Sequence, residues 1–362
     1  MMTRVRGRGE EIRHYILQNI GDHPTDISKV TANHFEISRQ AINLHLKRLV
    51  QEGALKPDLG KTRNRSYALA PLVVWRNSYQ ITPALEEDVV WRNDISPVLG
   101  DQPENVKDIW RYGFTEMFNN ARDHSNGTQI SVKIEKTAIN TEVSIYDNGV
   151  GIFRKIQKEL NLLDERHAVF ELTKGKLTTD PDRHTGEGIF FTSRMFDKFD
   201  IMSAGVFFTH AFGHEEDWVL ERQNPEEART SVWLQLNNHT SRTLKRIFDQ
   251  YSSEDDYGFT KTVVPVRLAQ YGDDKLISRS QAKRVVARVE KFKVVIFDFK
   301  DVPTIGQAFA DEIFRVFARQ HPDIQIIDSH ANSEVRRMIE RAKANDLANG
   351  QPALLTDLTS LP

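Results

Sequence analysis

The chain has 362 residues, 39% of them hydrophobic and 28% charged, with a formal charge of −2. That length accommodates two or three domains with separate cores, and the near-neutral total gives no global field toward nucleic acid or anionic lipid. Cysteine is absent, which excludes disulfides, thiolate metal sites and cysteine nucleophiles. No apolar run nears the ~18 residues that span a bilayer, and the charged N-terminus lacks a signal-peptide core, so a cytoplasmic protein is expected.

The average charge hides an asymmetry. Residues 1–70 carry twelve Lys/Arg against seven Asp/Glu, leaving the remainder acidic. Residues 8–20 place Ile12, Tyr15, Ile16 and Ile20 at helical spacing, and Gly21 to Pro24 end that helix. A second short helix is predicted from about Asp26. A third has Ser38 as N-cap, the apolar positions Ala41, Ile42, Leu44, Leu46, Leu49 and Val50, and Gly53 as its stop. Two short extended runs, at 54–56 and 66–69, flank a basic turn. Three helices and a hairpin are the layout of a winged helix-turn-helix. In that layout Arg39, Gln40, Asn43 and Lys47 face the major groove, and Lys61, Arg63 and Arg65 track phosphates from the wing. Double-stranded DNA is the expected partner. A protein-contact module with solvated charges is the alternative.

Residues 71–104, with Pro83 and Pro97, read as a connector without assignable structure. From 105 to 238 helix and strand alternate: a helix over 105–124, strands at 129–136 and 142–146, an irregular stretch at 153–185, a helix at 188–198, and strands near 199–204, 216–222 and 230–236. A linking helix is expected within 239–258. Alternating strands and helices over 259–362 indicate a small α/β domain, so the fold class is multidomain α/β.

Three segments of the central region carry chemistry. Glu116 and Asn120 lie four apart on a helix and project from one face. A carboxamide oxygen there can join a magnesium shell, and a carboxylate one turn earlier can activate a water or a hydroxyl. Asp147 ends an alternating strand before Gly149 and Gly151, which is also a strong turn sequence. Gly186 and Gly188 head a helix whose free N–H groups suit phosphate oxygens, and Thr185 adds a hydroxyl.

In order and spacing these segments resemble the nucleotide pocket of the GHKL superfamily, the histidine-kinase-like ATPases. The resemblance implies bound ATP with Mg²⁺ on Asn120, Glu116 as general base, Asp147 as acceptor for the adenine amine, and Thr230 assisting it. It places an ATP lid at 153–185, where Lys174, Lys176, Arg183 and His184 lie and one lysine or arginine is expected to reach the γ-phosphate. Two departures argue against a sensor histidine kinase: Asp123 stands where a basic residue is common, and no phosphoacceptor-histidine helix pair precedes the domain. The pocket looks more like that of anti-sigma-factor serine kinases or stand-alone GHKL ATPases.

The segment from Val294 to Phe314 resembles a STAS-like domain of unknown function, a class that implies a protein partner. Gln307-Ala308 occupies the position where relatives carry phosphorylatable serines; Thr304 is the nearest hydroxyl and is expected to N-cap the following helix, with phosphate acceptance as the alternative. The expected protein is thus an ATP-binding, hydrolysing regulator that couples nucleotide state to DNA or partner binding, as a homodimer. The alternatives are a serine/threonine kinase acting on its own tail or a partner, and an adaptor in which ATP is structural.

Overall fold

A computed structural model describes residues 2–57, 65–177, 185–213, 218–221, 229–252, 258–270 and 275–350. They gather into two compact units that interleave along the chain. One holds Met1–Lys155, Thr192–Glu216 and Leu220–Leu244; the other holds Ile156–Phe191, Asp217–Val219 and Lys245–Pro362. Among the described residues no helix is long and apolar enough to cross a membrane.

The first unit opens with helices Met2–Asn19, Ile27–Phe35 and Arg39–Gln51. The third is capped by Ser38, whose hydroxyl accepts from the Ala41 amide at 3.2 Å. Ile12, Ile16 and Ile20 meet Ile27, Ile42, Leu46 and Leu49 in one buried cluster, as the helical period dictates. Strands β1 (Leu55–Pro57) and β2 (Tyr67–Leu69) pair antiparallel beside it.

A seven-stranded sheet follows, built from β3 (Val73–Gln80), β4 (Gln129–Lys136), β5 (Asn140–Asp147), β6 (Lys198–Ser203), β7 (Val206–Ala211), β8 (Trp218–Glu221) and β9 (Thr230–Asn237). Their order across the sheet is β3-β4-β5-β9-β6-β7-β8. On one face Ile130, Val132, Ile134, Val143, Ile145, Phe199, Ile201, Leu234 and Leu236 are buried; the intervening side chains point the other way. Helix Glu104–Asn119 buries Ile109, Trp110, Phe114, Met117 and Phe118.

The supposed connector at 71–104 is structured. It supplies the edge strand β3, which pairs with β4 over its whole length, and a helical run from Glu87 to Leu99 with a π turn at Trp91–Ile95. The irregular stretch at 153–185 likewise contains helices Ile152–Glu159 and Glu165–Lys174, the latter capped by the Asp164 carboxylate on the His167 amide at 2.9 Å.

The second unit is built on three parallel strands, β10 (Lys261–Pro265), β11 (Val294–Asp298) and β12 (Gln325–Ser329), in sequential order. Helix Arg279–Val286 enters through a capping box of Ser278 and Gln281. Helix Gln307–Asp311 continues through a π turn at Glu312–Phe317, and Ser333–Gly350 is the last helix. Phe190, Phe191, Phe248, Tyr251, Phe259 and Phe292 form a chain of ring contacts in this unit, with centroids 4.5–6.2 Å apart.

Candidate nucleotide site

The crossover topology of the large sheet places three polar side chains in one row. Asp147 ends β5 opposite Thr230 of β9, and Thr230 lies opposite Ser203 of β6. All three are on the core face, and only 7%, 6% and 1% exposed respectively. Burial pushes the Asp147 carboxyl up from its ordinary value, against hydrogen bonds from Gly149 and Thr230 that favour the ionised form. The Gly149 amide donates to Asp147 Oδ1 at 2.9 Å, and the Ile152 amide donates to Thr230 Oγ1 at 3.1 Å. Ser203 Oγ is buried without a hydrogen-bond partner among the described residues. Ser203 was invisible to motif reasoning, because only the strand order reveals it as the neighbour of Thr230.

The loop after Asp147 is held against the end of helix Glu104–Asn119. The Val150 amide donates to Ser125 O at 2.8 Å, and Lys155 Nζ donates to His124 O at 3.0 Å. A Cβ on Gly149 would lie 2.1 Å from Ser125 O. Gly151 has φ +86°, and its Cβ would meet Ser203 Oγ at 2.8 Å. The chain's own packing therefore requires both glycines.

Glu116 and Asn120 occupy the last turns of that helix, both half-buried. At Asn120 the α-helix gives way to a π turn, Asn120–His124, and its amide is shared between Glu116 O and Met117 O. Such turns are frequent at functional sites because they re-aim side chains without ending the helix. Asp123 binds Arg122 at 2.7 Å, and Arg122 also reaches Glu87 at 2.6 Å. Asp123, with Glu87, holds the guanidinium pKa above its ordinary value. Among the described residues no three His, Cys, Asp or Glu side chains gather as a metal site.

Thr185, Gly186 and Gly188 belong to the second unit. Thr185 is exposed. Gly186 has φ +73° with its Cβ position 2.4 Å from the Leu177 carbonyl carbon, and Gly188 begins helix Gly188–Met195. Between the glycines, Glu187 is pushed up by burial despite Lys176. Leu177 N donates to Gly186 O at 3.2 Å, closing the two ends of the segment between them.

Lys174, one of the candidates for phosphate, is 1% exposed. Its ammonium donates to Glu171 Oε1 at 2.9 Å, Arg284 O at 2.9 Å and Ala287 O at 3.0 Å. Glu171 is 1% exposed; burial alone would raise its carboxyl, but Lys174, His167 and Arg288 hold it down at about 2. Lys176 Nζ donates to Lys291 O at 3.0 Å. Arg183 and His184 lie outside the described residues.

In the N-terminal cluster Arg39, Gln40, Asn43 and Lys47 are exposed along one face of their helix, opposite Ile42, Leu46 and Leu49. Arg65 is exposed at the approach to β2; Lys61 and Arg63 lie outside the described residues.

Residues 281–336 match the family described as a STAS-like domain of unknown function (DUF4325). The chain thus carries a STAS-like domain, spanning helix Arg279–Val286, β11, helix Gln307–Asp311, β12 and the start of the last helix. No curated protein matches the chain. At the strand-helix junction the cap is Gly306 and not Thr304, a correction of the sequence expectation. Ile305 forms a parallel bridge with Leu276, and Gly306 N donates to Leu276 O at 2.8 Å, which carries the chain two residues past Thr304 before the helix starts. Gln307 has both side-chain polar atoms buried without partners among the described residues.

Proposed function

We propose that this chain is an ATP-binding regulator: a winged-helix DNA reader, a GHKL-type nucleotide fold and the STAS-like domain as output. The observation that carries it is the convergence of a buried acceptor carboxylate, Asp147, with the end of the helix bearing Glu116 and Asn120, joined through the Val150–Ser125 hydrogen bond. An exocyclic amine fits that carboxylate, whose burial is otherwise costly. Thr230 orients it, and the partnerless Ser203 Oγ supplies a second polar contact. Asn120 would hold Mg²⁺ with the phosphates, where the ion supplies charge neutralisation. Glu116 would take the proton of the attacking water.

The regulatory part rests on the company the lid keeps. Helix Glu165–Lys174 lies in the same compact unit as the STAS-like domain and is bound to it through Lys174. A ligand that rearranges this segment thereby reaches the output domain, to the extent that it binds the two arrangements differently. The STAS-like domain also favours a second reading, in which Glu116 activates a protein hydroxyl.

Incubation with γ-labelled ATP, followed by mass spectrometry of the intact protein, separates the two. Free phosphate with unmodified protein is expected; phosphate retained on the chain establishes the kinase reading in its place. Glu116→Ala should abolish phosphate release, by at least about 100-fold, while nucleotide binding persists.

A further inference from the structure

The sheet face turned away from the buried core has a chemistry of its own. Gln235 of β9 lies in register between Glu142 of β5 and Lys198 of β6, and Trp233 lies between Ser144 and Asp200. With Phe207 of β7, five of these side chains (Glu142, Lys198, Asp200, Trp233 and Gln235) line a cleft of about 410 Å³, within the size range of small-molecule sites. All six lining residues belong to the first unit.

Asp200 is the unexpected member. Its side chain is only 9% exposed although it lies on the face away from the core. Oδ2 accepts from Lys198 Nζ at 3.1 Å, while Oδ1 is buried with no partner among the described residues. A carboxylate oxygen desolvated without a donor is costly, and a strand interior gives no propensity reason for aspartate. Glu142 adds a second carboxyl, which burial and the nearby Glu135 push up. Against two carboxylates the cleft has one ammonium, on Lys198, leaving a single negative charge. Trp233, held edge-on by Tyr146 at 5.9 Å, and Phe207 supply the walls.

We propose that this cleft binds a small organic cation of the guanidinium class. A guanidinium is planar, so it stacks on an indole face, and its forked N–H groups can serve two carboxylates together. One positive charge matches the charge left over. A compact ammonium lacks both the plane and the fork. The site is distinct from the Asp147 corner, which lies on the opposite face of the sheet, and does not depend on nucleotide binding there.

Calorimetric titration of the full chain with butylguanidine tests the assignment, with butylurea as its neutral isostere and an arginine-containing tripeptide as a third arm. Butylguanidine is expected to bind saturably with a Kd on the order of 0.1–1 mM, while butylurea should not bind. Glu142→Gln, isosteric and at a half-exposed position, should weaken binding about tenfold, and so should Trp233→Leu. Circular dichroism melts of both variants establish that they remain folded. Absent binding up to about 10 mM, equal binding of butylurea, or variants that bind like the wild type would overturn the proposal. Saturation by the tripeptide alone would overturn it in favour of a protein side chain.

Discussion

Asp147 is poorly placed for stability, a cost that a ligand would offset in the proposed site. Its folded-state carboxyl is raised by burial, so the native state favours the neutral form more than the unfolded chain does. Stability therefore falls as pH rises through the ordinary carboxylate value toward the folded one, and the charge remains a cost at neutral pH. Asp147→Asn removes that cost while keeping an oxygen for the Gly149 amide. The apo protein should melt no lower than wild type at pH 7, and its melting temperature should vary less between pH 4 and about pH 7; a variant that melts well below wild type would contradict this. Gly149→Ala is the opposite case. A methyl group would lie 2.1 Å from a backbone oxygen that cannot yield as a side-chain tip can, so a loss of about 2 kcal/mol or more is expected in chemical denaturation.

At the scale of elements, the helix Glu165–Lys174 is defined by its last residue. A lysine with 1% exposure is retained only because all three of its protons find acceptors, two of them carbonyls at the end of helix Arg279–Val286. Lys174→Met leaves those carbonyls and Glu171 short of a donor, and should destabilise the unit by about 3–5 kcal/mol. Combining it with Glu171→Leu should recover part of that loss, the signature of a coupled pair in a double-mutant cycle. Simple additivity of the two losses would show the pair to be uncoupled. The depressed Glu171 carboxyl adds an acid dependence. Its contribution is complete above the ordinary value of 4.5 and is lost as pH falls toward about 2, so acid should loosen this unit through that window.

These two elements also mark where the sequence is legible. β4 and β5 alternate apolar and polar residues because one face is buried, and their bounds can be read within two residues. β3 cannot be read that way: as an edge strand it is exposed at nearly every position, so Val73 to Gln80 shows no period. Helix Glu165–Lys174 is buried on every side from His167 onward, including its charged residues, which hides an amphipathic pattern. Lys174 was accordingly among the candidates to reach phosphate, since composition marks a lysine as exposed until a tertiary partner says otherwise. Ser203 and Asp200 are outside motif reasoning altogether. Their importance comes from neighbours on strands brought together by the crossover, not from spacing along the chain.

For the whole molecule, the boundaries of the motifs and the boundaries of the compact units do not coincide. The stretch Ile156–Phe191 lies between strands of the large sheet in sequence, yet it clusters with the STAS-like domain in space. In the regulator we propose, this is the segment through which nucleotide would act on the output domain. Arg39, Gln40, Asn43 and Lys47 lie exposed along one helix of the N-terminal cluster, the face on which the proposed DNA contact would form.

The account stands on nucleotide binding at Asp147, and isothermal titration calorimetry of ATP with Mg²⁺ into wild type and Asp147→Asn addresses it without assuming turnover, DNA or partner. Wild type should bind one ATP per chain, and the variant should bind at least about tenfold more weakly, the loss expected of one charge-assisted hydrogen bond. No saturable binding to the wild type, or equal affinity in the two proteins, would contradict the central claim.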